Sequence, residues 1–236
     1  MSKLPIIMYH NVCQKEALST GLTISMTKLE AQFQHLTNEN YTSFHLAELE
    51  NKLKIPSKSI VITFDDVTVN QLEYAVPLLN KYKLKATFFI PFKYIGQSDQ
   101  WNQGEEPIMT MDMLKNLGSN IELGLHSFEH QKYATLTKDE IDHDFEQCHA
   151  IINDNNLKVL PFLAYPYGNY PKKEPQKSNF KAVLKQHNVK MGLRIGNKRN
   201  KFPFKNPYEI TRIDIKGEDS LLKFKLKLRI GKLKLF

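Results

Sequence analysis

Seven short, largely apolar runs punctuate this chain, separated by stretches in which apolar residues recur every three or four positions. The runs are Ile6–Tyr9, Ile60–Phe64, Ala86–Ile90, Ile121–Leu125, Leu160–Ala164, Lys190–Arg194 and Glu209–Asp214. Their length and content predict strands. Ile60–Phe64, unbroken apart from Thr63, predicts one buried on both faces, as in a parallel sheet. Helical spacing marks Thr27–Asn38, Gln71–Tyr82, Met111–Leu117, Lys138–Asn153 and Ser178–Gln186. Thr27-Lys-Leu-Glu30 and Thr137-Lys-Asp-Glu140 read as capping boxes. The stripes that follow, Leu29, Phe33 and Leu36 in one and Ile141, Phe145, Cys148 and Ile151 in the other, read as core faces. Pro77 predicts a late start or a kink in the second helix. Alternating strands and helices imply a parallel sheet with right-handed crossovers. Seven strands are too few for a regular eight-fold barrel.

Two pairs of chemically capable residues follow strand-like runs. Asp65 and Asp66 end Ser59-Ile-Val-Ile-Thr-Phe-Asp-Asp66, and His126 and His130 lie in Leu123-Gly-Leu-His-Ser-Phe-Glu-His130. Alone, an Asp-Asp pair after a strand reads as a turn or helix cap, and two histidines at i, i+4 as a surface face. Together they read differently, because parallel α/β folds gather functional groups at the carboxyl ends of strands. One carboxylate and two imidazoles suffice to hold a hydrolytic metal with positions open for water and substrate. The spare carboxylate is then placed to act as a base.

Thr63-Phe-Asp-Asp66 and His126-Ser-Phe-Glu-His130 resemble the first two motifs of the polysaccharide deacetylases, carbohydrate esterase family four. The resemblance spans roughly residues 4 to 215. It implies an α/β fold, a distorted, incomplete (β/α)7 barrel of the polysaccharide deacetylase type. It also implies that Asp65 is the catalytic base and that Asp66, His126 and His130 hold one divalent ion, usually zinc in that family. Ala164-Tyr-Pro-Tyr-Gly168 resembles the third motif, which makes Tyr167 the supplier of an oxyanion-hole N–H. Two departures stand out. The family's arginine two residues before the proline is Ala164 here, and the late motif carrying the acid histidine is absent, since no histidine follows His187. Pro5-Ile-Ile-Met-Tyr-His-Asn-Val12 instead looks like the start of a rearranged branch that includes poly-N-acetylglucosamine deacetylases, in which His10 is the general acid. The alternative for His10 is a strand-end histidine bonded to backbone.

Length and composition fit one catalytic domain, expected over residues 1–219, with a basic and apolar tail over 220–236. At 236 residues and 41% hydrophobic content the chain can bury a sizeable core. No apolar run approaches the roughly 18 residues of a membrane span. The opening Met-Ser-Lys-Leu-Pro-Ile-Ile-Met-Tyr-His lacks the layout of a signal peptide, so a cytoplasmic location is expected. Cys13 and Cys148 stand outside any Cys-x-x-Cys motif and are expected reduced. Gly96–Pro107 and Tyr167–Ser178 read as loops. Trp101 in the first is expected to pack that loop down, with stacking on a sugar as the alternative.

The charge is one-sided. Residues 198–236 hold 12 basic and 4 acidic residues, which accounts for the whole net charge of +8. Lys223–Ile230 alternates charged and apolar side chains, a period of two that predicts a strand. The tail then reads either as an edge strand guarded by lysines or as a peripheral contact with anionic lipid at the inner face of the membrane. The expected activity is removal of an N-acyl group, most simply N-acetyl, from an amino sugar. A nucleotide-linked or lipid-linked precursor in surface polysaccharide assembly suits a cytoplasmic enzyme. An inactive sugar-binding member of the fold is the alternative. A nucleic-acid binder is disfavoured, because the basic excess is confined to the tail and no nucleic-acid motif accompanies it.

Overall fold

A computed structural model describes residues 2–231. The seven expected strands all form: β1 (Ile6–Tyr9), β2 (Ser59–Asp65), β3 (Ala86–Ile90), β4 (Ile121–Leu125), β5 (Phe162–Ala164), β6 (Met191–Ile195) and β7 (Ile210–Asp214). Each lies parallel to the next in chain order, and β7 and β2 both pair with β1, so the sheet closes into a seven-strand barrel. Thr42–Ser43 adds a short parallel strand along the start of β2. The barrel is uneven. β3 and β4 share five register pairs, whereas β4 and β5 share only Leu125↔Leu163.

The alternation of β2 sorts its side chains. Ile60, Ile62 and Phe64 pack outward with Leu29, Phe33 and Leu36 of α1 (Met26–Asn38) in the larger apolar core. Val61 packs inside with Phe89, Phe162 and Leu193. Thr63 and Asp65 continue that inner face. Gly124 is required by this interior, because a Cβ there would lie 2.7 Å from the Phe89 ring and 2.9 Å from the Phe162 carbonyl oxygen.

The helices are α1, α2 (Val76–Lys81), α3 (Met111–Lys115), α4 (Lys138–Asn155), α5 (Gln176–Gln186) and α6 (Leu221–Ile230). The capping box at Thr137 and Glu140 forms as expected. The one expected at Thr27 does not. Ser25 caps α1, accepting from the Lys28 N–H, and Thr27 is already inside the first turn. Gln71–Ala75 is a wide π turn that runs into α2, and Pro77, which can donate no backbone hydrogen bond, falls in the first turn of α2 directly after it.

The tail corrects the sequence reading most. Residues 221–230 form a helix, not a strand. Ser220 caps it by accepting from the Lys223 N–H, and Phe224, Lys227 and Leu228, at i, i+3 and i+4, are its buried face. The period of two misled because Lys227 occupies a core position. Its ammonium is received by the buried Asp219 carboxylate and donates to the Asp214 carbonyl at 2.6 Å. The final residues of the tail lie outside those described. Phe224 is fully buried, so Phe224→Ala should lower unfolding free energy by about 3–5 kcal/mol in urea titrations. A loss below ~0.5 kcal/mol, typical of surface changes, would mean that α6 is not packed as described.

Candidate active site

The ends of β2 and β4 build the centre. Asp65 is the last inward residue of β2, and the chain then turns sharply, with Asp66 at φ 77° and Val67 at φ 45°. The Asp66 N–H still donates to the Phe89 carbonyl of β3 at 3.1 Å, which holds the turn over the barrel mouth. After β4, Ser127 (φ 67°) and His130 (φ 55°) are also left-handed. Asp144 of α4 pins that loop from outside. Its carboxylate accepts the Phe128 N–H at 2.8 Å and the Tyr133 hydroxyl at 2.9 Å, and burial pushes its carboxyl up to about 6.

Asp66, His126 and His130 converge. One candidate ligand atom from each lies within 4.8 Å of the others, and all three residues are buried. The two Nε2 atoms are each 3.4 Å from Asp66 Oδ1, and that oxygen has no hydrogen-bond partner. The His126 Nδ1–H donates to the Ala164 carbonyl across the thin β4–β5 seam at 2.7 Å, which turns the Nε2 lone pair inward. Burial lowers His126 to about 4, against the pull of Asp65, so its imidazole is neutral near pH 7. A buried, unpartnered carboxylate oxygen facing two imidazole nitrogens suits a cation, and this donor set fits zinc or a similar divalent ion.

Asp65 is held apart from that triad. Arg212 of β7, wholly buried, grips it in a two-pronged ion pair, with Nη1 to Oδ1 at 2.5 Å and Nη2 to Oδ2 at 2.7 Å. Burial would push the Asp65 carboxyl up, but Arg212 outweighs it and holds the group well below the usual carboxylate range. With His126 neutral, Arg212 is the charge that does this. His10, just beyond β1, places Nε2 3.7 Å from Asp65 Oδ2. Thus all six residues singled out in the sequence come to one barrel mouth. Tyr167 (φ 57°) is half exposed, with its hydroxyl 3.3 Å from His130 Nδ1. Trp101 does pack its loop down, and the surface it packs on is His130, stacked at 4.0 Å between ring centres, with Tyr94 edge-on behind it.

The polysaccharide deacetylase family profile matches residues 52–192 of this chain. The chain belongs to that family. Its relatives include the poly-β-1,6-N-acetyl-D-glucosamine N-deacetylase of Staphylococcus aureus, 27% identical over 214 residues, covering 83% of this chain and 69% of that one. Bacillus subtilis YxkH is 26% identical over 174 residues, and the matched part spans 72% of this chain and 58% of YxkH. Among solved structures, the Streptococcus pyogenes deacetylase PplD in complex with acetate superposes with a TM-score of 0.79 at 20% identity, covering 96% of this chain and 98% of that one. A de-N-acetylase from Aggregatibacter actinomycetemcomitans also gives 0.79, at 18% identity, covering 96% of this chain and 100% of that one. At these identities the structures establish a shared fold.

In this deacetylase-family chain Ala164, at the end of β5, offers no guanidinium at the third motif. The guanidinium on Asp65 comes from β7 rather than from the third motif. Sequence reading missed Arg212 because a lone arginine in Glu209–Asp214 resembles any surface position of a strand. The available signal was period two, which places Arg212 on the same face as Ile210, a residue buried in the inner core. Removing one partner of a buried ion pair costs about 3–5 kcal/mol, so Arg212→Met should be destabilised by that order. In an Asp65→Asn background the same change should cost clearly less. Equal losses in a denaturant double-mutant cycle would show that the pair is not coupled.

Proposed function

We propose that this chain is a metal-dependent hydrolase that removes the N-acetyl group of an amino sugar. The observation that carries the reading is the division of labour between the two buried carboxylates. Asp66 faces His126 and His130 with an unpartnered oxygen, while Asp65 is claimed by Arg212. Asp66, His126 and His130 would hold the ion, which when bound polarises the acyl carbonyl and makes water more acidic.

The remaining steps belong to the chain's own side chains. Asp65, kept ionised and oriented by Arg212, accepts a proton from the attacking water. The Tyr167 backbone N–H, in its left-handed turn, donates to the oxyanion that forms on the acyl oxygen. His10, beside Asp65, gives a proton to the departing nitrogen, which an amine requires in order to leave. Acetate and a free amino sugar result. An inactive sugar-binding protein would have no use for a separately held base, and a nucleic-acid binder none for the buried triad.

On the carrier, a polymer of N-acetylated sugar is better supported than a nucleotide-linked or lipid-linked precursor, because the Staphylococcus aureus relative is named for a polymeric substrate. A precursor substrate requires a cytoplasmic location and, if lipid-linked, suits a lipid-binding tail. Residues 221–230 of the tail are a packed helix, although Leu222 and Ile230 stay exposed on it beside Arg229. This outer strip of α6 is the surface we propose for any contact with anionic lipid.

Four measurements test these readings. Elemental analysis should find about one divalent ion per chain in the parent and in Asp65→Asn, and far less in His126→Ala. Asp65→Asn should lose about 10²–10⁴-fold in turnover. Metal retained by His126→Ala would refute the ligand assignment. Metal-loaded protein should release acetate from β-1,6-linked N-acetylglucosamine oligomers faster than from nucleotide-linked or lipid-linked N-acetyl sugars, and the reverse ranking would restore the precursor. Anionic vesicles should sediment the parent but not Leu222→Glu at low salt. If neither protein sediments, the lipid contact is ruled out.

A further inference from the structure

Gln71 is a fully buried amide that the proposed chemistry does not use. Its Nε2 donates to two backbone carbonyls at once, those of His10 at 3.0 Å and Asp65 at 2.6 Å. Both partners can only accept, so the amide nitrogen must face them. Its Oε1 is buried without a partner, which is uncommon for a side-chain amide. The wide π turn Gln71–Ala75 begins at this residue, and the Gln71 N–H donates to the Thr68 carbonyl at 3.0 Å. Single π turns of this kind recur at functional sites.

The bridged carbonyls belong to facing residues. The β1–β2 ladder ends at Tyr9↔Phe64, so His10 and Asp65 are the next pair along the two strands. The side chain of Gln71 ties them where the ladder's own hydrogen bonds stop. The two are not equally dependent on this tie. Asp65 is also gripped at its carboxylate by Arg212 and is paired with Phe89 on β3. The His10 ring has no such support. Its Nδ1 is buried with no hydrogen-bond partner, and its Nε2 is 3.7 Å from Asp65. The ring is therefore aimed by its backbone, and Gln71 holds that backbone against the strand carrying Asp65.

We propose that Gln71 is a positioning residue that sets His10 relative to Asp65 and so governs protonation of the leaving group. The inference rests on the roles proposed above for His10 and Asp65. Loss of the tie should slow substrates that need a proton on the leaving atom and largely spare those that do not.

The test compares two substrates on the same metal-loaded protein: an N-acetylglucosamine oligomer, whose amine must be protonated, and 4-nitrophenyl acetate, whose phenolate leaves unaided. Gln71→Met keeps the side-chain volume and removes the donor. Gln71→Asn keeps the amide but is too short to span both carbonyls. Each should retain about one metal ion per chain by elemental analysis. Each should lose about tenfold or more in kcat on the amide, the scale of a small misplacement of a catalytic group, with KM near the parent's and a much smaller loss on the ester. The amide-to-ester ratio is measured within one sample, so a partly unfolded preparation does not obscure it. His10→Ala is the reference. If it loses both activities alike, the acid role of His10 fails and this inference fails with it. If His10→Ala loses the amide selectively while both Gln71 variants keep the parental ratio, the proposed function stands and the positioning role of Gln71 is overturned.

Discussion

Consecutive carboxylates at a barrel mouth are an electrostatic problem before they are a catalytic opportunity. Asp65 and Asp66 are 2% and 7% exposed, and like charges in so dry a place push each other toward protonation. The Arg212–Asp65 ion pair resolves this. It neutralises one carboxylate with two charge-assisted hydrogen bonds and leaves the other free to face His126 and His130. A buried pair of this sort contributes little net stability compared with apolar residues of the same size, but breaking it is costly. Its value lies in giving two chemically identical side chains different environments. Because Arg212 sits on β7 and Asp65 on β2, with β1 between them, the pair forms only when the barrel is closed.

Backbone strain collects in the same place. Among the described residues, eleven other than glycine have left-handed backbone, and five of them, Asp66, Val67, Ser127, His130 and Tyr167, lie in the loops at the barrel mouth. Four of the remaining six are asparagines, which tolerate that conformation. A β-branched valine does not, so Val67 marks real cost. The surroundings hold it there. The Asp66 N–H is tied to β3, and the Val67 carbonyl accepts the Met109 N–H at 2.9 Å. Asp144 does the same work for the loop that carries His130.

Aromatic packing completes the mouth. Trp101 stacks on His130 and the Tyr167 ring meets the same imidazole edge-on at 4.8 Å, so two rings pack against it. Tyr167, half exposed, and Lys132, with Nζ 5.2 Å above its ring, form the outer lip. A polar loop thus serves the site through one large residue, and the loop itself is folded onto the buried Asp99, which accepts the Glu106 N–H at 2.8 Å and the Asn102 side chain at 2.9 Å.

Much of this protein is determined by local pattern. Apolar runs bounded by helical spacing were enough to place all seven barrel strands and five helices, because strands buried on both faces and amphipathic helices carry their environment in their own residue order. The positions of Asp65, Asp66, His126 and His130 at strand ends follow from that order too. Tertiary structure decided what depends on residues far apart in the chain. Arg212 reaches Asp65 across 147 positions, and Gln71 joins two strands beyond their ladder. Even over eight positions, Lys227 can take a core place on a helix only because the fold buries Asp219 beside it. In each case a polar side chain is buried against its own preference, and only the partner that the closed fold brings to it makes the burial tolerable.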